Sequence, residues 1–116
     1  VNKDKIEIKW IDFEYCGYNF IEFDIANFLC ELLIDYDESG FKFVDFDLTD
    51  ISKSVCELYT DNGNDSIALF NNLKTFLIAT NYMWIVWSII KNNNSNSSDY
   101  VLFIENRYCL LKKLMS

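Results

Sequence analysis

Apolar positions change period along this chain, and each change marks an element. Ile6, Ile8 and Trp10 alternate with Glu7, Lys9 and Ile11, the two-residue period of a strand. CGYN at residues 16–19 reads as a turn, with Gly17 supplying backbone freedom. Helical spacing starts at Asp24, whose carboxylate can cap a first turn. Ile25, Phe28, Leu29, Leu32 and Leu33 then carry an apolar face to about residue 36. Asp24, Asn27, Glu31 and Asp35 form a polar stripe on the same helix, which reads as a solvated face. Residues 37–47 hold turn residues and a short alternating run, and a loop is expected there. A second helix fits residues 48–59 with Ile51, Val55 and Leu58 inward, and TDNGND at 60–65 breaks it. The third and longest helix is predicted over 66–91, with Phe70, Leu73, Leu77, Trp84 and Trp87 near one side. NNNSNSSD at 92–99 reads as a low-complexity loop. The last helix spans 100–114, where Lys112 and Lys113 suit its negative end. There is no internal repeat. The expected fold class is mainly α with a short N-terminal β element.

Composition narrows the reading. A chain of 116 residues that is 51% hydrophobic and 17% aromatic makes one folded domain. It opens at Val1 within a few residues of a strand, as expected of a piece of a longer protein. The net charge of −8 argues against nucleic acid, whose binding needs Lys and Arg to neutralise phosphates. It suits a cationic partner, and equally a surface that is acidic for solubility. With no histidine, His-based catalysis and His-ligated zinc are excluded within the chain. Cys16, Cys30, Cys56 and Cys109 form no CxxC pair, and three sit in helix-like apolar patterns. That suits buried free thiols in a reducing, cytoplasmic compartment. Residues 75–90 fall short of the roughly 20 apolar residues of a membrane span and include Asn81, so a buried helix is expected and no span.

Asp12 and Glu14 stand two apart at the end of the alternating run. If the strand persists they share a face, and two carboxylates on one face can hold a hard cation such as Mg²⁺. The same spacing also describes a solvated strand end.

The stretch IDFEYCGYNFIEFDIANFLCEL resembles the signature of choline and ethanolamine kinases, approximately (L/I)-I-D-(F/Y)-E-Y-x-x-Y-N-Y-x-x-F-D-I-x-N-H-F. Asp12, Glu14, Tyr15, Tyr18, Asn19, Phe23, Asp24, Ile25 and Asn27 match it. Phe28 stands where the family usually has His, and Leu29 where it usually has Phe. NYMWIVWSII, with Trp84 and Trp87, is similar to the family's W-x-x-W-S segment, and Tyr100, Phe103 and Arg107 follow at nearly its spacing.

The resemblance implies the C-terminal lobe of a protein-kinase-like fold of the choline kinase and aminoglycoside phosphotransferase type. Residues 1–19 would be the metal-binding strand and turn, and residues 20–116 the helical substrate-binding part. It implies Asp12 and Glu14 as ligands of the Mg²⁺ that carries ATP, and Asp24 and Asn27 as structural residues. The nucleotide-binding lobe and the loop supplying the aspartate base would precede residue 1, so the chain alone would not catalyse. Tyr15, Glu31, Tyr36, Trp84 and Trp87 match family positions at the choline pocket, and Phe103 falls where the family often has Tyr. A quaternary ammonium donates no hydrogen bond and relies on aromatic faces and negative charge, which these types provide. The expected reaction is phosphorylation of choline to phosphocholine; ethanolamine kinase, or a catalytically dead amine-binding relative, is the alternative. The family's members are commonly homodimers.

Overall fold

The computed structural model describes residues 5–37, 40–44, 47–95 and 98–116, the side chains of 36–37, 40–43 and 98 excepted. Its elements are α1 (Ile21–Glu31), β1 (Ile34–Asp37), β2 (Gly40–Phe43), α2 (Thr49–Tyr59), α3 (Gly63–Ser95) and α4 (Ser98–Met115). The protein is mainly α, as the periodicity predicts. The long helix α3 is the scaffold on which α1, α2 and α4 pack.

The expected β element at residues 6–12 is absent. Residues 5–13 are irregular, and Asp12 sits in the left-handed region at φ 65°. A strand's N–H and C=O groups need a neighbouring strand, and among the described residues these find none. Ile6, Ile8, Trp10 and Ile11 all lie exposed. The described sheet is instead a hairpin inside the segment read as a loop. β1 and β2 pair antiparallel, with Asp35 opposite Lys42 and Tyr36 opposite Phe41, and Val44 N–H donates to the Leu33 carbonyl at 2.9 Å to close its open end.

The helix ends also moved. α1 starts at Ile21, three residues before Asp24, and Asp24 lies in its first turn without capping it. Asn19 Oδ1 accepts the Phe20 N–H at 2.8 Å just ahead of that start. α1 stops at Glu31, because the chain turns through Leu32 and Leu33 into β1. α3 begins at Gly63, inside the predicted break. Asn62 Oδ1 accepts the Asp65 N–H at 2.8 Å, satisfying one helix-start donor, and its Nδ2 donates to Asp65 Oδ2 at 2.6 Å. At the other end α3 continues to Ser95, whose hydroxyl donates to the Lys91 carbonyl at 3.0 Å.

Ile25 and Leu29 of α1, Cys56 of α2, and Leu69 and Leu73 of α3 make the core, with Ile51, Val55, Phe70 and Leu77 packed around it. Burial of each such aliphatic side chain contributes about 1.5–3 kcal/mol. Phe28, Leu32 and Leu58, expected inward, are exposed. Cys30 and Cys56 are buried, whereas Cys16 and Cys109 are exposed; all four are free thiols. α3 is long and apolar enough to cross a membrane, and 22% of its most apolar stretch is buried. It is thus less buried than its apolar run suggests.

Candidate functional site

The turn predicted at 16–19 lies at 13–16, where Cys16 N–H donates to the Phe13 carbonyl at 3.0 Å. With Asp12 left-handed just before it, the chain doubles back and brings Tyr15 onto α3. Asp12 and Glu14 therefore do not share a strand face, and both are exposed. Asp12, Tyr15, Tyr18, Asp24, Asn27 and Trp84 line one cleft of about 600 Å³. Glu14 does not line it.

One wall of this cleft is held by a polar seam between α1 and α3. Asn27 Oδ1 accepts from Thr80 Oγ1 at 3.0 Å and from Trp84 Nε1 at 2.6 Å. Two donors on one oxygen fix the plane of the indole. The Trp87 Nε1–H reaches Tyr15 Oη at 3.2 Å, so the turn segment is tied to α3 as well. The rings form a row of edge-to-face contacts: Tyr15 to Trp84 at 6.2 Å, Trp84 to Trp87 at 5.3 Å, and Trp87 to Tyr100 at 5.9 Å. These are distances at which aromatic quadrupoles attract. The Lys91 ammonium lies 5.6 Å from the Trp87 centroid, close enough for a cation–π contact with that ring.

A second polar cluster lies where α1, α3 and α4 meet. Arg107 is 1% exposed. Its Nη2 donates to Glu31, and its Nη1 to Asn81 Oδ1 at 3.1 Å. Asn81 Nδ2 donates in turn to the Leu77 carbonyl at 2.8 Å and to Cys30 Sγ at 3.1 Å. The guanidinium also lies 4.9 Å from the Phe103 centroid. Burial pushes the Cys30 thiol up from 9.0 to about 11, against the opposing pull of Arg107. Cys30 is therefore a neutral thiol at physiological pH.

Thus Tyr15, Trp84 and Trp87 come together, with Asn27 behind them and Asp12 and Asp24 at the cleft. Glu31 and Phe103 meet on Arg107, and the Glu31 side chain stays 42% exposed. Tyr36 pairs through its backbone in β1, and its side chain is outside the described residues. Sequence reasoning missed Thr80 and Asn81, the two polar residues inside the apolar run of α3 that receive α1 and α4. Their signal in the sequence is the interruption of an apolar run by two adjacent polar residues, each four positions from an apolar residue of the same helix, Leu77 or Trp84. Asp12 and Glu14 are carboxylates, the donor type a hard cation takes alongside water and phosphate oxygens, but only Asp12 lines the cleft. No group of three potential ligands forms among the described residues.

The family model described as Choline/ethanolamine kinase matches residues 1–112. The chain is 27% identical to "Probable choline kinase 3" of Arabidopsis thaliana over 118 residues, 93% of this chain and 34% of that protein. It is 26% identical to "Ethanolamine kinase 2" of Rattus norvegicus over 126 residues, 99% of this chain and 32% of that protein. A 30-residue stretch is 63% identical to "Probable ethanolamine kinase B" of Dictyostelium discoideum, covering 26% of this chain and 7% of that protein. In the two longer matches the chain spans about a third of the relative's length. No solved structure matches.

Proposed function

The chain belongs to the choline/ethanolamine kinase family, and from that premise we propose that it is the amine-binding, C-terminal part of a cytoplasmic kinase that transfers the γ-phosphoryl of ATP to choline. The observation that carries this reading is the row of rings from Tyr15 through Trp84 to Trp87, seated on Asn27 beside a cleft that also holds Asp12 and Asp24. A trimethylammonium group has no N–H to donate, and aromatic faces with carboxylates nearby are what attract it. Asn27 orients the Trp84 indole, and Arg107 orients Glu31 at the junction of α1 and α4.

On this reading the protein has the protein-kinase-like fold. Asp12 and Glu14 are the residues that would hold Mg²⁺, which supplies charge neutralisation at the ATP phosphates when bound. The nucleotide-binding lobe and the aspartate base lie in the part of the protein outside this chain, and the parent is a homodimer. A second reading, ethanolamine as substrate, is favoured by the 63% match to a protein named as a probable ethanolamine kinase. A primary ammonium wants acceptors more than ring faces, and Asp24, which lines the cleft, is a carboxylate suited to it.

The test is ADP release by the full-length protein with Mg²⁺ and ATP, choline against ethanolamine. Choline is expected to turn over at the lower KM. Trp84→Ala should raise that KM about thirtyfold, the scale of a lost desolvated cation–π contact, and leave the KM for ATP nearly unchanged. An unchanged choline KM would return Trp84 to a packing role. Asp12→Ala should abolish turnover while choline still binds; intact turnover would remove the metal assignment. Preference for ethanolamine would establish the second reading, and silence with both would mean a relative that has lost the reaction.

A further inference from the structure

We propose that Asn27 binds the ligand as well as bracing Trp84: its Nδ2 amide donates to the hydroxyl oxygen of the amino alcohol whose ammonium faces Trp84, an inference that rests on the amine-binding reading of the cleft. Both hydrogen bonds that fix the Asn27 side chain go through Oδ1, from Thr80 Oγ1 at 3.0 Å and from Trp84 Nε1 at 2.6 Å. An indole N–H only donates, so the atom facing it is the oxygen and the amide has one orientation. Nδ2 is left outside that seam, and among the described residues nothing accepts from it. Nor is it sealed in the protein, since the buried side-chain polar atom without a partner among the described residues is Arg107 Nε. Asn27 itself lines the amine cleft. Two oriented N–H donors are thus open at the wall where the ligand is to sit.

The seam by itself does not call for an asparagine. A carboxylate at position 27 would accept from Thr80 and Trp84 through stronger, charge-assisted bonds; what the amide adds is its two N–H groups. The rest of the cleft says which ligand atom they meet. Asp12 and Asp24 line it and no lysine or arginine does, so an anion is repelled and a cation is drawn in. A ligand oxygen with lone pairs finds only repulsion at those carboxylates and needs a neutral donor. Asn27 supplies one at the edge of the Trp84 indole, because Nδ2 shares a carbon with the oxygen that the indole bonds. In choline and ethanolamine the nitrogen and the hydroxyl are two carbons apart, so an ammonium on the Trp84 ring carries its oxygen to the neighbouring amide. One lone pair taken by Nδ2 leaves the other for the phosphoryl group and the O–H for the base.

Calorimetric titration of the full-length protein, without ATP, reads the oxygen apart from the ammonium. Choline methyl ether keeps the oxygen as an acceptor and has no O–H to give, and n-butyltrimethylammonium puts a methylene in its place at the same charge. Asn27→Asp keeps an acceptor for Thr80 and Trp84 and removes both Nδ2 donors. The ether-to-butyl affinity ratio should fall about fivefold in that variant, the scale of one hydrogen bond. A loss confined to the seam would weaken both ligands alike and leave the ratio alone. Asn27→Leu, close in shape and uncharged, should lower the ratio by a similar factor; it shows that the added carboxylate is not the cause, and it carries the test by itself where the Asp variant does not fold. A ratio that either folded variant leaves unchanged would overturn the assignment and leave the amine cleft standing. A wild-type protein that binds neither ligand would overturn the assignment and the amine cleft together.

Discussion

Residue chemistry at the α1–α3–α4 junction turns on burial. Asn27 and Glu31 belong to a polar stripe that reads as a solvated face, but in the structure they meet polar groups of other helices: Thr80 and Trp84 for Asn27, Arg107 for Glu31. A polar residue type records that a partner is needed and says nothing about whether it is water. Cys30 shows the same dependence on surroundings. Its thiol ionises near 9 when unfolded and near 11 when buried, so between those values the unfolded state loses the proton first. Stability should therefore fall as pH rises above about 9, by up to about 1.4 kcal/mol per pH unit, and level off beyond about 11. Burial raises the Cys56 thiol as well, which adds in the same direction. Urea midpoints measured at about pH 8 and about pH 10 check this; a midpoint unchanged over that interval would mean that neither thiol is dry.

Elements were legible where one surface alone decided them. α2 was read within one residue at its start because Ile51 and Val55 recur at helical spacing, and α4 within two at its start. The hairpin was missed because its evidence lies in pairing: Asp35 with Lys42 and Tyr36 with Phe41 are cross-strand relations, invisible to a scan for period. The start of α3 differs for another reason: TDNGND at 60–65 reads as a break, yet Asn62 within it caps the helix that begins at Gly63. At this scale Arg107 is the residue that binds elements together, holding Glu31 of α1 and Asn81 of α3 from α4. Arg107→Ala should cost about 2–3 kcal/mol, below the 3–5 of a fully buried pair because Glu31 keeps contact with water. The check is the urea midpoint of the full-length variant beside Arg107→Met, which keeps most of the packing. If Met restored the midpoint completely, the ionic and hydrogen-bonded contacts would contribute nothing and only the side-chain volume would matter.

For the whole molecule the decisive feature is apolar surface. Ile6, Ile8, Trp10 and Ile11 are each 78–87% exposed, and Tyr82, Ile89 and Ile90 add exposed apolar area along α3. Large apolar side chains exposed in this number mark an interaction site or an aggregation liability. Residues 1–116 expressed alone should bind a hydrophobic dye and self-associate as concentration rises. A monomer without dye binding at high concentration would show that these side chains find cover within the chain. What the sequence determined by itself was helical content, the apolar faces of α2 and α3, the family, and the residue types suited to an amine and a hard cation, since all of these follow from local period or from a run of identities. Tertiary structure alone decided that residues 6–12 form no strand, that Asp12 and Asp24 rather than Asp12 and Glu14 line the cleft with Trp84, and that Glu31 rests on Arg107. Each of these depends on which backbone or side chain stands opposite, and a period along one strand of chain carries no record of what lies across from it.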